Sequence, residues 1–261
     1  MRFGFVCFLW RTTVRRLFVL LQYNPLKADF SCLPWNRLAA EGFVVVVSIL
    51  LAFAIDAWWD RYQEDRREDR QLAAMRVEFL ASSVALDEVI DSIQEHADGV
   101  DELMSMLKSD KRETVEVPGR LLGYAIGWRT SDVSTSTLDT LIASGDLNQL
   151  ENEELRRDLA GFPAFLLNLT EDELMAMEFA ESIMAPFMAR QGLAEVAYSN
   201  RPGLNWPDAP ESATVNPSAE FIGLLMARRV HFHFSLDKLP EIKTYLEDLV
   251  AQIDTELGIG G

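Results

Sequence analysis

The chain has 261 residues and a formal net charge of −17 at pH 7, and this charge is unevenly distributed. Residues 1–41 hold six of the 24 Lys and Arg and two of the 41 Asp and Glu, so the remaining 220 residues hold 18 bases and 39 acids, a net charge of −21. A domain of that charge repels phosphate backbones, so nucleic acid is excluded as an expected partner. Both cysteines, Cys7 and Cys32, lie in the basic part, so neither a disulfide nor thiol chemistry is expected in the acidic part.

The first predicted element is a basic and apolar N-terminal segment, residues 1–37. Arg11, Arg15 and Arg16 interrupt its apolar residues. An arginine at the centre of a membrane costs about 2.5–3.5 kcal/mol, which argues against a span here. Two interpretations remain open: a basic amphipathic helix that lies on the membrane surface, or an extension that results from a misassigned start codon.

Residues 38–59 form the predicted transmembrane helix. Within it the run 42–55 is uncharged and mostly apolar. A helix needs about 20 such residues to cross the hydrocarbon core, so this segment is long enough. Asp56 ends the run, and Trp58 and Trp59 follow at the headgroup depth that tryptophan prefers. We therefore predict one membrane span, with these three residues as its anchor and the lipid bilayer as a partner.

The orientation of the span is predicted from the positive-inside rule, which compares the bases on its two sides. Six Lys and Arg precede the span, and five arginines follow it closely, at positions 61, 66, 67, 70 and 76. The larger number on the N-terminal side predicts a single-pass protein of the bacterial inner membrane. Its N-terminus would be cytoplasmic and its C-terminal domain periplasmic.

Beyond the span, residues 60–71 mix acids and arginines at helical spacing, which predicts a charged and solvated stalk. A heptad pattern begins at residue 72 and predicts an amphipathic helix of about 36 residues. Its seam packs either within the chain or against a second copy, so it is a candidate self-association surface of a homo-oligomer. Apolar residues recur along this seam every seven positions, at Leu72, Phe79, Leu86, Ile93, Val100 and Leu107.

Caps and breaks delimit the next elements. The long helix should end near residues 109–111, and a break is expected at 118–119. The Ser- and Thr-rich stretch 130–137 offers several N-caps for a short helix. Gly145 suits a left-handed cap at the end of that helix, with Ile142 and Leu147 expected to be buried on either side of it.

Two helical regions and one long loop complete the predicted acidic helical-bundle domain, residues 72–261. In the first region, 148–190, Pro163 should kink the helix and Pro186 should kink or end it. A loop is predicted over 192–217, which contains four prolines and two glycines. The last helix should begin near residue 218 and restart or kink at Pro240.

The predicted fold class is all-α. One N-terminal transmembrane helix continues into a long amphipathic helix, which packs into an antiparallel helical bundle. This prediction follows from the helical spacing of apolar residues in three separate regions and from the lack of alternating strands.

The sequence contains no catalytic, cofactor or metal signature. The HExxH and GxSxG motifs and the glycine-rich motifs of phosphate and dinucleotide sites are missing. His231 and His233 would point about 200° apart on a helix and could not share a metal. His96 lies on the apolar seam, where a core histidine satisfied by hydrogen bonds is the expected role. We therefore expect no enzyme activity, no cofactor and no metal site.

Two stretches resemble a family of uncharacterised bacterial single-span membrane proteins. In that family the N-terminal span ends in an apolar–Asp/Asn–x–Trp motif, and a later segment combines a Ser/Ala–Gly turn with spaced leucines and a closing Leu-Arg. The resemblance implies the same topology and carries no activity. The matching residues are Ile55, Asp56, Trp58, Leu141, Ser144, Gly145, Leu147, Leu150, Asn152, Leu155 and Arg156.

These observations favour a membrane-anchored helical interaction or scaffold domain that binds a protein partner of unknown identity or itself. The alternative is an extracytoplasmic helical bundle that senses a small molecule or stress. An enzyme with an unrecognised site is the least favoured of the three hypotheses.

Overall fold

The computed structural model describes residues 35–109, 112–204 and 206–259, and the predicted segment 1–37 lies outside these ranges except for its last three residues. The chain is mostly helical and divides into two compact units, Met1–Tyr62 and Gln63–Gly261. The long helix α1 belongs to both. The elements in chain order are α1 (Trp35–Ser109), β1 (Val115–Pro118), α2 (Gly119–Ile126), α3 (Ser136–Ser144), a 3-10 turn (Asp146–Gln149), α4 (Glu153–Phe179), a π-helical turn (Ala180–Met184), α5 (Ala185–Arg190), α6 (Ala194–Ser199), β2 (Ser212–Val215) and α7 (Ala219–Glu256).

Helices α1 and α7 run antiparallel in the second unit. Three ion pairs join them, Arg76–Asp254, Asp87–Lys243 and Asp101–Arg229. The residue number on α7 falls as the number on α1 rises, which fixes the antiparallel direction. Helix α4 completes the main packing because Phe162 makes an edge-to-face contact with Phe79 of α1, with ring centroids 5.6 Å apart.

The heptad seam of α1 lies inside this core. All six seam residues are at most 5 % exposed within one chain, because α1 presents its apolar stripe to the other helices of the second unit. Of the two predicted roles, the structure shows intramolecular packing. A second copy would have to displace these helices to reach the side chains of Leu72, Phe79, Leu86, Ile93, Val100 and Leu107.

The all-α prediction is wrong in one detail, because the second unit contains a small antiparallel sheet. Strands β1 and β2 pair from Val115 opposite Val215 to Pro118 opposite Ser212. Val115 and Val117 are buried and Glu116 is exposed, which is the period-2 pattern of a strand. Four residues are too few for that pattern to stand out in a sequence.

The predicted loop 192–217 is also wrong in part. It contains the short helix α6, in which Val196 and Ala197 are buried, and strand β2, in which Val215 is buried. Helix α6 is shorter than two helical turns, and β2 is shorter than a typical strand. The prolines and glycines around them dominate the local composition, so the sequence pattern indicated a loop.

Helix α3 is capped by a residue that is distant in sequence. Thr135 occupies the N-cap position but its side chain makes no capping hydrogen bond. Instead, the Glu78 carboxylate of α1 accepts hydrogen bonds from the backbone N–H groups of Ser136 and Thr137, at 2.6 and 3.0 Å, and from two serine hydroxyls. Burial alone would raise the pKa of Glu78, but these hydrogen bonds outweigh it and lower the pKa to about 2.

Gly145 ends α3 in the left-handed conformation, with φ of 81°, which confirms the predicted cap. The predicted burial of Leu147 is also confirmed, whereas that of Ile142 is wrong, since Ile142 is 43 % exposed. Leu138 and Leu141 already fill the core-facing side of α3. Ile142 follows Leu141, so it lies about 100° further around the helix and points outward.

Two prolines, one expected to kink its helix and the other to mark a restart or a kink, lie inside continuous helices. Pro163 is within α4 and Pro240 is within α7. The preceding residues Phe162 and Leu239 are fully buried. We infer that this packing offsets the cost of an internal proline, which is about 3 kcal/mol. A prediction from local sequence includes this cost but not the packing.

Candidate functional site

The apolar part of α1 in the first unit is exposed on all sides. Its large side chains from Phe43 to Ile55 are between 43 and 69 % exposed. The one hydroxyl in this run, Ser48, donates to the carbonyl of Val44 at 2.7 Å, so it is satisfied within the helix. A helix that is apolar on every side and covered on none is unstable in water and suited to lipid.

An aromatic cluster follows this run. The rings of Trp58 and Trp59 lie 6.4 Å apart, and each lies 6.0 Å from Tyr62. Their side chains are exposed, as is that of Asp56. Rings with an apolar body and a polar tip are typical of the boundary between hydrocarbon and headgroups.

Within the described ranges, one helix is long and apolar enough by length and composition to cross a membrane. Its most apolar 18-residue window has a mean hydropathy of 2.1, and none of that window is buried. The predicted anchor residues Asp56, Trp58 and Trp59 therefore lie directly after the exposed apolar run, within the same helix α1.

The residues that carry the family resemblance around Gly145 have structural roles. Asn152 caps α4, because its Oδ1 accepts hydrogen bonds from the N–H groups of Glu154 and Leu155 at 3.0 and 3.1 Å. Arg156 donates to the carbonyl of Leu150 at 2.7 Å. The four leucines of this motif are buried, namely Leu141, Leu147, Leu150 and Leu155.

The histidines do not form a metal site. His96 is 2 % exposed, its Nδ1 lies 2.6 Å from the carbonyl oxygen of Ser92, and its burial lowers its pKa. His231 packs against the ring of Phe179 on α4, whereas His233 is exposed on the other side of α7. The described part of the chain contains no group of three His, Cys, Asp or Glu that could hold a metal ion.

A fully buried arginine lies at the centre of the second unit. The guanidinium of Arg228 on α7 donates to the carbonyl of Ala176 on α4 at 2.9 Å and to the carbonyl of Gly127 at the end of α2. It also stacks over Phe232 at 4.2 Å. Burial and, to a smaller extent, the positive charge of Arg201 lower the pKa of Arg228 to about 9. The residue joins three helices, which is a structural role.

The π-helical turn lies beside this arginine and carries Glu181. The carboxylate of Glu181 accepts hydrogen bonds from the indole of Trp128 at 2.9 Å and from the hydroxyl of Tyr198 at 3.2 Å, and it pairs with Arg201 at 3.7 Å. These contacts connect the turn to the segment after α2 and to α6. The Glu181 carboxylate is thus held by partners within the chain.

A groove lies between α4 and the segment 130–133, and its lining contains no cationic partner for its carboxylates. Its volume is about 230 Å³, below the roughly 300–1,000 Å³ of sites for drug-sized ligands. Its wall is mostly apolar. The apolar lining residues are Val133, Leu166, Leu169, Leu174 and Met177. Its polar residues are Thr130, Ser131, Asp132, Thr170 and Glu173.

The charge in this groove is negative. The half-buried Glu173 accepts a hydrogen bond from the Ser131 N–H at 2.8 Å through one carboxylate oxygen. Burial raises its pKa, the hydrogen bonds from Ser131 oppose this rise, and the nearby charge of Asp132 adds to it. Asp132 itself has a positive φ of 46°, a conformation that Asp and Asn adopt more readily than most residues. The lining therefore combines two carboxylates with no Lys, Arg or His.

Sequence reasoning missed both Arg228 and the groove. Arg228 continues the buried spacing of Phe221 and Leu225 on α7, and Glu173 continues that of Leu166 and Leu169 on α4. In each case the available signal was a charged residue at a helical position where the spacing of the apolar stripe predicts a buried one. No local pattern indicated Asp132, because its position depends on an irregular segment folding over α4.

We found no match to this chain among models of known protein families, curated proteins or solved structures. The family resemblance therefore stays a prediction.

Proposed function

We propose that the protein is a single-span membrane protein whose acidic helical domain serves as an interaction or scaffold module. One observation carries this proposal. The apolar run of α1 is fully exposed, while the second unit has buried its own apolar stripe. About 25 cal/mol is gained for each Å² of apolar surface removed from water, and lipid is the environment that would cover an apolar helix on all sides.

The finer architecture is part of this proposal. A transmembrane helix would continue into the long amphipathic part of α1, and the antiparallel helices would form a bundle at the membrane. Asp56, Trp58 and Trp59 would mark the boundary with the headgroups. The contacts of Arg228, Glu181 and the α4 cap are internal, so these groups stabilise the fold.

Alkaline carbonate extraction tests the anchor. Full-length protein in bacterial membranes is expected to stay in the pellet with integral proteins after the carbonate wash. Release into the supernatant would contradict a membrane span. A mass measurement of the detergent-solubilised protein then tests self-association, which would have to use surfaces other than the buried heptad seam.

We further propose the bacterial inner membrane as the location, with the N-terminus in the cytoplasm and the acidic domain in the periplasm. Cysteine labelling can test this orientation because both native cysteines precede the span. In a variant that lacks them, a cysteine at the exposed position Glu113 should react with an impermeant maleimide in intact spheroplasts. Labelling only after lysis would show the opposite orientation, with the acidic domain in the cytoplasm.

A ligand-sensing bundle is the second candidate function. The groove between α4 and residues 130–133 favours it, because it is an open site whose charged groups lack a cationic partner in its lining. The anchored scaffold and the sensor share the same membrane topology. They differ in whether the second unit binds a small molecule.

A further inference from the structure

We propose that the groove between α4 and residues 130–133 binds a small organic cation, a primary ammonium on a short apolar chain, with Glu173 as its charge partner. This proposal rests on the sensing alternative, to which it adds a ligand class. It does not depend on the membrane anchor, since the groove lies wholly in the second unit.

The apolar wall selects the body of the ligand. Leu169 is buried at its base, Leu166 and Val133 are partly buried beside it, and Leu174 is 53 % exposed at the rim. These side chains cannot form hydrogen bonds, so they favour an alkyl chain over a sugar or a nucleotide. The volume of about 230 Å³ limits this chain to a few carbon atoms.

The carboxylates select the head group. Glu173 uses one oxygen for the Ser131 N–H. Burial raises its pKa against the opposing hydrogen bonds from Ser131, and the charge of the second carboxylate, Asp132, adds to the rise. A cation in the groove would oppose the effects of burial and of the Asp132 charge, because it favours the charged form of Glu173. An ammonium group adds donors for the carboxylates, whereas an anion would meet two negative charges and a neutral alcohol would leave the charge unpaired.

Butylammonium is the probe that tests this assignment, with n-butanol as its neutral counterpart. Binding is measured by isothermal titration calorimetry on the full-length protein in nanodiscs, with empty nanodiscs subtracted. We expect saturable binding of butylammonium and none of n-butanol. Equal binding of both, or no saturable binding of butylammonium to protein with unchanged helicity, would overturn the proposal.

Three variants locate the site. Glu173→Gln should weaken butylammonium binding by about tenfold or more, because a charge-assisted hydrogen bond is lost. Thr170→Phe places a ring into the groove from an exposed position and should abolish binding. Glu171→Gln removes an exposed carboxylate from the same helix outside the groove and should change nothing.

Each outcome has a definite meaning. Full affinity in Glu173→Gln or in Thr170→Phe would place any binding elsewhere and refute the groove as the site. An equal loss in Glu171→Gln would show a general attraction of the acidic surface instead of a specific one. Carbonate extraction of the same proteins reports the anchor separately, so a failure of one proposal leaves the other intact.

Discussion

Helix α1 contains two apolar regions that differ in how their side chains are covered. Around residues 43–55 the apolar side chains surround the helix and are exposed, whereas between residues 72 and 107 they recur on one face and are buried. The first pattern requires an environment outside the chain and the second is satisfied inside it. The distribution of apolar residues around a helix therefore indicates what covers it better than their number does.

Two phenylalanines on α1 provide the largest expected contrast. Phe79 is fully buried and Phe53 is 67 % exposed. Phe79→Ala should lower the free energy of unfolding of the second unit by about 3–5 kcal/mol, because it leaves a cavity next to Phe162. Phe53→Ala should change it by less than about 0.5 kcal/mol. Chemical denaturation followed by circular dichroism measures both, and equal effects would contradict the contrast.

Arginine substitutions test the same contrast in the membrane. Leu51 and Val84 are both on α1 and are 60 and 66 % exposed. Leu51→Arg places a charge within the proposed span at a cost of about 2.5–3.5 kcal/mol and should reduce membrane retention. Val84→Arg should be retained like the unaltered protein. If carbonate extraction released neither or both proteins, the span would not lie where we propose.

A pH titration tests how the buried part of α1 holds α3. The pKa of Glu78 is about 2 in the folded protein against an ordinary value of 4.5. Its carboxylate therefore stabilises the fold fully above about pH 4.5, and this contribution is lost as the pH falls through about 2. Glu78→Gln should cost about 1–2 kcal/mol at neutral pH, as lost caps do, and progressively less in acid. A pH-independent difference between the two proteins would refute this role.

Two glycines in the second unit should respond to alanine in opposite directions. Gly145 has a φ of 81°, so Gly145→Ala should cost about 1 kcal/mol in the free energy of unfolding. Gly161 is inside α4, and an added methyl group would meet only the Tyr245 hydroxyl at 3.6 Å. Gly161→Ala should stabilise by up to about 1 kcal/mol. A melting temperature that does not fall in Gly145→Ala would contradict the cap, and one that falls in Gly161→Ala would contradict the space for a methyl group in α4.

The smallest expected effect is that of Asp56→Asn, which keeps a polar group at the end of the exposed region. This variant should insert and fold like the unaltered protein, because a polar cap suffices there. Asp56→Leu should lengthen the apolar run and change the depth or tilt of the helix, which tryptophan fluorescence quenching at Trp58 and Trp59 can measure. A membrane phenotype lost in Asp56→Asn at normal abundance would indicate that the carboxylate itself is active.

The sequence predicted the long elements well because each contains many turns of a repeating pattern. The end of α1 at Ser109, the left-handed Gly145 and the buried heptad stripe all follow from local residues. The small sheet, helix α6 and the Glu78 cap depend on residues that are distant in sequence. Glu78 lies 58 positions before Ser136, and β1 pairs with a strand almost 100 residues away. The local spacing of residues cannot predict partners that are this far apart in the chain.

The candidate groove could not be predicted for a related reason. Its apolar wall is part of the helical stripe of α4, which the sequence indicates. Asp132 faces this wall only because an irregular segment folds over the helix, and Glu173 was one acid among many. Side chains on a regular element can be assigned to a face from spacing alone, whereas those on an irregular segment cannot.

The π-helical turn at Ala180–Met184 has a consequence for how this chain can vary in length. A π turn closes its hydrogen bonds over one more residue than an α turn, so it is what a single-residue insertion into an α-helix produces. The turn absorbs the extra residue, so the residues after it keep nearly the orientation that they would have in an uninterrupted α-helix. Phe187 and Met188, which follow the turn and are buried, should therefore stay in the core when one residue is deleted here. Relatives of this protein should be able to lose this residue without compensating changes in α5.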